Sequence, residues 1–271
     1  MLQTVRVEFE ETEYEWNGER WYRARDYFDA GRLANVLEAL ARRDTIRACC
    51  ATRRIETLVH FTRVENLESI LADGLLPRSA LKGRAGVIFN DADRYDRHED
   101  AVCLTISFPN YKMFYSYRQR QPNTEWAVLL LRADILWELD CSFCWANAAR
   151  SAISRLPLEL LKHASSLEKM FADQCEVLGV NRSACRIPDC YPTNPQAEVL
   201  TFSSVALSYV TGAYFQGEGE RRKFLPSRGV TCNIGVKPEY FNARVDWQAW
   251  KQVAEANTGE SWHDDPSSVP F

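Results

Sequence analysis

Three polar side chains lie where a strand-like stretch of the sequence passes into a helix-like one. His60 stands in the run Leu-Val-His-Phe of residues 58–61, Thr62 follows it, and Asn66 comes one helical turn later. Thr62 and Glu65 have the types and spacing of a capping box, so they predict a helix that begins here. Because the first N–H groups of a helix attract anions, the trio predicts a seat for a dinucleotide. The alternative is a half-buried histidine beside an ordinary helix cap.

A glutamate late in the chain is the second candidate for chemistry. Gln196 and Glu198 follow a proline-bounded turn at residues 191–195, and Glu198 opens the strand-like run Val-Leu-Thr-Phe. Residues two apart in a strand point to the same side, so the pattern predicts an amide and a carboxylate on one face. A rigid strand can present such a carboxylate to a reacting centre while the amide reads the substrate. An exposed glutamate on a strand is the alternative.

Composition indicates a globular protein with a large core. Of the 271 residues, 46% are hydrophobic and 26% are charged, and aromatic residues are frequent. The net charge of −4 gives no global basic field, so any contact with nucleic acid has to rely on local cations. The start of the chain is acidic and the longest apolar run, residues 126–131, is short. We therefore expect a cytoplasmic protein with no membrane contact.

Nine cysteines without a secretory context predict reduced thiols. Cys141 and Cys144 have the spacing of half a zinc site, and Cys185 and Cys190 could supply the other half. Four residues, one of them a proline, separate the second pair, which fits a zinc site poorly. We therefore expect small buried side chains rather than a metal site.

The start of the chain differs in pattern from the rest. Residues 4–14 alternate between apolar and charged types and predict an edge strand, and residues 29–43 predict an amphipathic helix. Five arginines in the stretch 42–54 form either a solvated face or a patch that tracks phosphates. We predict an accessory extension over residues 1–54, packed on a core domain over residues 55–271.

The core domain reads as strands separated by loops and short helices. The predicted strands are residues 101–107, 126–132, 199–205, 208–215 and 230–236, and the predicted helices are residues 112–118, 165–178 and 246–256. Residues 77–100 have the composition of a surface loop, and a loop of this size could lie over a bound ligand. The absence of regular strand–helix alternation and of a G-x-G-x-x-G motif argues against a Rossmann domain.

Taken together, these motifs resemble the ADP-ribosyltransferase superfamily and, within it, the DarT family of toxins that ADP-ribosylate bases in single-stranded DNA. The resemblance covers residues 57–210. It is carried by His60-x-Thr62, by the Asn-Leu-x-Ser-Ile-Leu-x-x-Gly pattern of residues 66–74, by the Pro-Asn-Tyr-Lys-Met-Phe-Tyr break of residues 109–115, and by Gln196-x-Glu198. It implies an α+β fold with a split β-sheet core, flanking helices and an N-terminal strand–helix extension.

The resemblance also implies NAD as co-substrate, no metal, and a set of site residues. His60 would bind the ribose on the nicotinamide side and Glu198 would be the catalytic glutamate. The further cofactor contacts would be Phe61, Thr62, Asn66, Ser69, Tyr111 and Tyr115. Asn110 stands where family members carry an arginine, and Lys112 is the nearest cation that could replace it. This departure leaves open the target base and the choice of DNA over RNA.

Transfer to a nucleobase would need a second group of residues. Glu198 would stabilise the positive charge on the ribose and take the proton of the acceptor nitrogen, while Gln196 would hydrogen-bond the base edge. An unstacked base and its phosphates need aromatic and cationic partners, for which the sequence offers Trp145, Tyr191, Arg150 and Arg155. Packing of the loop on itself is the alternative for each of these four.

The expected partners are single-stranded DNA or RNA, NAD and, by the resemblance, an antitoxin protein. The implied biological role is that of a toxin in a toxin–antitoxin or phage-defence system. Two other functions stay open: the same chemistry on a protein or small molecule, and a catalytically silent nucleotide-binding module.

Overall fold

A computed structural model describes residues 6–9, 12–16, 21–23, 30–84, 86–89, 96–175, 180–226 and 229–258. The chain divides into two compact units, Met1–Thr45 and Ile46–Phe271. The division falls inside a long helix, upstream of the boundary at residue 54 that the sequence predicts.

In the first unit, strands β1 (Arg6–Phe9), β2 (Thr12–Trp16) and β3 (Trp21–Arg23) form an antiparallel sheet. The prediction of one edge strand over residues 4–14 was wrong, because this stretch contains parts of two strands, β1 and β2, that pair with each other in antiparallel fashion. Helix α1 (Ala30–Arg53) follows and continues beyond the predicted end at residue 43.

The second unit contains nine strands among its described residues. They are β4 (Thr57–Arg63), β5 (Val102–Ile106), β6 (Trp126–Arg132), β7 (Cys141–Cys144), β8 (Gln174–Cys175), β9 (Val180–Asn181), β10 (Glu198–Thr201), β11 (Val210–Phe215) and β12 (Asn233–Val236). Its helices are α2 (Leu67–Asp73), α3 (Arg78–Leu81), α4 (Tyr111–Arg120), α5 (Ile135–Glu138), α6 (Ser151–Ser154), α7 (Leu158–Leu161), α8 (Ala164–Lys169), α9 (Glu218–Lys223) and α10 (Trp247–Thr258). None of the described helices combines the length and apolar content needed to cross a bilayer.

Strand β6 has the predicted bounds, and most other predicted elements are present with shifted ends. The prediction of one helix over residues 165–178 was wrong in its second half. Helix α8 ends at Lys169, and β8 pairs with β9 instead of continuing the helix. Residues 176–179 lie outside the described part of the chain.

Seven of the described strands form the main sheet, in the order β12-β11-β6-β4-β5-β10-β7. Neighbouring strands are antiparallel except β11 and β12, which are parallel. The run Trp126–Leu131 of the central strand β6 is buried along its whole length, because side chains cover both faces of the sheet. One of these faces packs on the largest hydrophobic cluster, which includes Leu58, Leu104 and Leu129.

The sheet splits between β4 and β5. Strand β4 pairs with β6 over its full length, but with β5 only through Leu58 and Val59. From His60 onward the two strands diverge, and β5 continues beside β10. The divergence opens a wedge between the two halves of the sheet and confirms the predicted α+β fold with a split core.

Candidate active site

A cavity of about 330 Å³ opens at the split. It is lined by the ends of β4 and β5, by α2 and the turn that follows it, by the start of α4, and by Glu198 at the start of β10. Its volume falls within the range of about 300–1,000 Å³ that is typical of small-molecule sites. His60 and Glu198, which lie far apart in the sequence, therefore face the same cavity.

His60 is the first residue of β4 beyond the pairing with β5. Its Nδ1 atom lies 2.9 Å from the carbonyl oxygen of Cys103 on β5, so the imidazole bridges the two halves of the sheet. In a neutral ring this contact requires the proton on Nδ1, which makes Nε2 the acceptor atom. The cavity is thus lined by an imidazole whose orientation and tautomer are set by the fold.

The helix start predicted at Thr62 was wrong. Strand β4 extends through Arg63, because Thr62 stays paired with Ala127 of β6. A 3₁₀ turn at Val64–Asn66 follows without a side-chain cap, and α2 begins only after it. The predicted capping box is therefore not formed, and a short uncapped helix gives no support to a phosphate seat at this end.

A glycine ends the same helix. Gly74 terminates α2 with φ of 82°, a conformation that favours glycine. A Cβ atom at this position would lie 2.3 Å from the carbonyl oxygen of Val205. Glycine is needed here both for its backbone conformation and because the chain passes so close.

Asn66 holds the loop that follows α3. Its Nδ2 donates to the carbonyl of Ile88 at 2.9 Å, and its Oδ1 accepts from the Ile88 N–H at 3.0 Å. Nδ2 also lies 3.2 Å from the Thr62 hydroxyl. Val87, Ile88 and Phe89 line the cavity. The structure therefore uses the Asn66 amide to place a cavity wall, a role the sequence did not predict.

We expect Asn66→Leu, which keeps the side-chain size but removes both hydrogen bonds to Ile88, to loosen this wall. The loss of two exposed hydrogen bonds should lower local stability by about 1 kcal/mol. Hydrogen–deuterium exchange at the Ile88 amide should accelerate, while exchange in the buried strand β6 should stay slow as an internal control. Unchanged protection at Ile88 would show that other contacts hold the wall.

Glu198 is buried, with 7% of its surface exposed, so the alternative of an exposed strand glutamate is wrong. Its Oε2 accepts from the Ala148 N–H at 2.8 Å, and its Oε1 accepts from Asn147 Nδ2 at 3.2 Å. Asn147 Oδ1 in turn accepts from the Ala149 N–H at 3.0 Å. The carboxylate is therefore fixed by the turn that follows β7.

Asn147 is a site residue that the sequence analysis missed. The Asn147 side chain links the Glu198 carboxylate to the turn that contains Asn147, and Asn147 also lines the cavity. The neighbouring Cys144 is paired with Glu198 across the sheet. Burial, and then the negative charge of Glu198, raise the pKa of the Cys144 thiol to about 12, so Cys144 is a neutral thiol.

Asn110 caps α4 and lines the cavity. Its Oδ1 accepts from the Met113 N–H at 3.2 Å, which fixes the orientation of the amide. Its Nδ2 is buried and has no hydrogen-bond partner among the described residues. Because a buried amide donor is costly to leave unpaired, this atom is a candidate contact for a ligand.

The other residues predicted on α4 lie elsewhere. Neither Tyr111, Tyr115 nor Lys112 is among the described residues that line the cavity, to which α4 contributes Met113 and Tyr117 instead. Tyr111 is buried on the opposite side, and burial raises the pKa of its phenol. The helix face shared by Tyr111 and Tyr115 is thus turned away from the wedge.

Arg78, at the start of α3, is the one arginine or lysine among the described residues of the cavity wall. Its guanidinium carbon lies 4.6 Å from the centre of the Phe89 ring, and its Nε lies 4.0 Å from Glu99. The side chain is mostly buried, so its charge acts with little screening by water. The sequence analysis did not single out this residue.

The remaining cofactor candidates lie in the wall. Phe61 stacks on Phe114 with ring centres 4.5 Å apart, and Thr62 and Ser69 line the cavity beside it. Together they form a partly apolar side of the wedge.

The residues predicted to contact an acceptor lie outside the cavity wall. Gln196 is half-buried in the turn before β10, not in the strand, so the predicted sharing of a strand face with Glu198 was wrong. Trp145 has Lys169 Nζ 3.9 Å from its ring centre, and Tyr191 packs near Phe108.

Two arginines flank α6, close to the turn that holds Glu198. Arg155 is exposed at the C-terminal end of α6. Arg150 precedes α6, and its Nη1 atom is buried without a hydrogen-bond partner in the described part of the chain. A guanidinium nitrogen in that state suits an anionic ligand.

The cysteines considered for zinc do not converge with other ligand types. Cys141, Cys144 and Cys185 are buried cysteines. Within the described ranges, no three His, Cys, Asp or Glu side chains are grouped as metal ligands would be.

Comparison with known proteins relates the chain to one family. Residues 59–242 match the family model described as "ssDNA thymidine ADP-ribosyltransferase, DarT". No curated protein matches the chain.

Several solved structures are similar at low identity. Thermus sp. 2.9 DarT in complex with ADP-ribosylated ssDNA has 13% identity and a TM-score of 0.48, with 69% of this chain and 96% of that chain covered. The same protein in complex with carba-NAD⁺ has 12% identity and a TM-score of 0.47, with 69% and 97% covered. Thermosipho africanus DarTG in complex with ADP-ribose has 15% identity and a TM-score of 0.46, with 68% and 50% covered.

The family match spans more than half of the chain and includes both His60 and Glu198. The protein therefore belongs to the DarT family of ADP-ribosyltransferases.

Proposed function

We propose that this protein transfers ADP-ribose from NAD to a base of single-stranded DNA. The observation that carries the proposal is that His60 and Glu198 line one cavity at the split of the sheet. A buried carboxylate and an oriented imidazole in one cavity of ligand size are what such a transfer needs. The family description, which names single-stranded DNA and thymidine, makes thymine the first acceptor to test.

The cavity offers NAD several matched contacts. His60 presents Nε2 as an acceptor for a ribose hydroxyl, and Asn110 presents a buried amide donor. Arg78 supplies positive charge for the pyrophosphate. Phe61 gives an apolar surface against which a ring can pack. Lys112 is not part of this proposal, because the structure places Arg78 rather than Lys112 in the wall.

Glu198 would act on both partners of the reaction. The bond between the ribose carbon and nicotinamide breaks, its electron pair leaves with nicotinamide, and positive charge develops on the ribose. The fixed carboxylate stabilises this charge in a site with little water. The acceptor nitrogen then bonds to the ribose carbon, and Glu198 takes its proton as general base. Asn147 and the Ala148 N–H keep the carboxylate aimed during both events.

The acceptor strand would approach from the side of the 147–155 turn and the loop before Glu198. Arg150 and Arg155 lie next to the turn that holds the carboxylate, where they would contact phosphates. Gln196 stands two residues before Glu198, from where it would read the base edge. Trp145 and Tyr191 would stack on the unpaired base from positions outside the cavity wall, where Lys169 and Phe108 contact their rings.

Asn110→Asp tests the proposed NAD contact while it keeps the helix cap. Aspartate retains the oxygen that accepts from the Met113 N–H, but it replaces the buried donor with a negatively charged acceptor. We expect NAD to bind at least about tenfold more weakly, as loss of a buried hydrogen bond and added repulsion require. Calorimetric titration measures this. Asn242→Asp, at an exposed site, is the matched control and should bind as the wild type does.

A role as a toxin would follow from this chemistry. Covalent ADP-ribose on a base blocks pairing wherever single strands are copied, so a cell that makes the enzyme would need an antitoxin protein to restrain or reverse it. We place this action in the cytoplasm, where DNA and NAD are both available. Expression in a host that lacks any antitoxin should arrest growth, and Glu198→Gln should relieve the arrest.

Labelled NAD separates the proposal from its alternatives. The protein is incubated with NAD that carries the label in its adenylate half and with separate pools of single-stranded DNA, duplex DNA, RNA and protein. We expect the label on single-stranded DNA. Label found only on RNA or protein would show that RNA or protein, and not DNA, is the acceptor. Binding of NAD without transfer or release of nicotinamide would indicate a silent binding module.

A further inference from the structure

The loop of residues 188–197, which runs directly into Glu198, is held by buried side chains from later and earlier parts of the chain. We call it the acceptor loop. Arg182 donates from Nη1 to the carbonyl of Tyr191 at 2.7 Å and contacts the Thr193 hydroxyl at 3.3 Å. Thr193 also bonds to the segment before β8 through its N–H and its hydroxyl.

A second buried arginine reaches the same loop. Arg244 is 2% exposed, and it forms a two-point ion pair with Asp246 at 2.6 and 2.7 Å. Its Nη1 donates to the carbonyl of Pro192 at 2.8 Å, and its Nη2 reaches the carbonyl of Thr193 at 3.3 Å. Trp250 Nε1, on α10, donates to the same Thr193 carbonyl at 3.3 Å.

Stability alone does not account for a buried ion pair between Arg244 and Asp246. Burial of an arginine and an aspartate carries a large desolvation penalty for each ion, and apolar residues often replace such pairs without loss of stability. What the pair supplies is a set of directed hydrogen bonds from Arg244 to the loop carbonyls of Pro192 and Thr193. The geometry of the loop is therefore what Arg244 and Asp246 preserve.

The acceptor loop has no part in the NAD cavity. Of the residues from 182 to 198, Glu198 is the only described one that lines it. The loop nevertheless fixes where β10 begins and where Gln196 stands. Its effect should fall on the second substrate, the acceptor, and not on NAD.

Of the two segments that hold the loop, the later one lies outside the family match. That match ends at residue 242, whereas Arg244, Asp246 and Trp250 follow it. We infer that these three residues form a clamp that positions the acceptor loop, so that a base rather than water meets the ribose carbon. The inference rests on the proposed function.

Water and the base compete for the same carbon. With water the products are free ADP-ribose, nicotinamide and a proton, and with the base they are ADP-ribosylated DNA, nicotinamide and a proton. The ratio of transfer to hydrolysis therefore reports how well the acceptor is placed. Because both reactions come from the same folded molecules, this ratio does not depend on the fraction of the protein that is folded.

Two variants of the full chain test the clamp. Arg244→Lys keeps a charge for Asp246 but replaces the three separate guanidinium nitrogens with a single one, which cannot reproduce the two-point contact with Asp246 and the spread of bonds to the loop. Trp250→Phe removes only the Nε1 donor. We expect the transfer-to-hydrolysis ratio to fall about tenfold in Arg244→Lys and about threefold in Trp250→Phe, with NAD affinity unchanged. Trp247→Phe, the same change three residues earlier on α10, is the matched control and should keep the wild-type ratio.

The ratio is measured with labelled NAD and a single-stranded oligonucleotide. If Arg244→Lys does not fold, Trp250→Phe carries the test. A wild-type ratio in the clamp variants would overturn the inference, as would an equal fall in Trp247→Phe or a matching loss of NAD affinity. A wild-type protein that neither transfers nor hydrolyses would instead overturn the proposed function, and the clamp with it.

Discussion

Glu198→Gln should reduce ADP-ribosyl transfer by about a thousandfold or more, because it removes both the charge that stabilises the ribose cation and the base that takes the acceptor proton. The substitution keeps the size of the side chain. NAD should still bind, since in the proposed complex His60 also holds the nicotinamide ribose. Transfer is measured as label incorporated into a single-stranded oligonucleotide, and binding is measured separately by calorimetry.

The burial of Glu198 makes a stability control necessary. Glutamine places an NH2 group, which cannot accept a hydrogen bond, at one of the two oxygen positions, so either the bond from the Ala148 N–H or the bond from Asn147 Nδ2 is lost. We expect a loss of about 1–3 kcal/mol in the free energy of unfolding, which leaves a folded protein with an altered melting temperature. Glu159→Gln, at a side chain that is 80% exposed, is the matched control and should keep full activity. Wild-type transfer by Glu198→Gln would remove this residue from the mechanism.

His60→Ala should weaken NAD binding by about tenfold or more, because the ribose loses the Nε2 acceptor. The alanine variant also loses the bond from Nδ1 to the Cys103 carbonyl, so it combines a binding effect with a structural one. His60→Asn separates the two. The asparagine amide can still donate to Cys103 across the split, but it has no atom at the position of Nε2.

The two variants together show whether His60 contacts NAD or only joins β4 to β5. If His60 contacts NAD, both variants should lose affinity while His60→Asn retains most of the wild-type melting temperature. If His60 only fastens β4 to β5, His60→Asn should bind NAD as tightly as the wild type. Titration of NAD into each variant, with thermal unfolding in parallel, distinguishes these outcomes.

The sequence predicted His60 and Glu198 as site residues because each lies in a recognisable local pattern. His60 precedes a helical pattern that ends at Gly74, and Glu198 follows a turn and opens a buried strand. The split of the sheet came only with the family resemblance. No local pattern shows that β4 leaves β5 after Val59, since the divergence depends on pairing between strands more than 40 residues apart.

Residues that act through distant contacts were missed for the same reason. Asn147 meets Glu198, and Asn66 meets Ile88, across gaps that no spacing rule reaches. The capping box at Thr62 and Glu65 failed because pairing with β6 kept Thr62 in the strand. Local preference predicted a helix start, and a tertiary contact of the backbone overrode it.

The departure at Asn110 shows how the structure changes an interpretation of the sequence. A missing arginine directed attention to Lys112, its neighbour along the chain. In the described part of the fold, the arginine that lines the cavity is Arg78, which is more than 30 residues away. Charge in a cavity is a property of the fold, so proximity in the sequence was a poor guide to it.

The most direct test is mass spectrometry of nucleosides from a single-stranded oligonucleotide treated with the protein and NAD. Wild-type protein should yield one nucleoside that is heavier by one ADP-ribosyl group, and thymidine is the nucleoside expected first. Both Glu198→Gln and a reaction without NAD should yield no modified nucleoside. Unmodified nucleosides after wild-type treatment, with NAD consumed or protein labelled instead, would contradict transfer to a DNA base at this site.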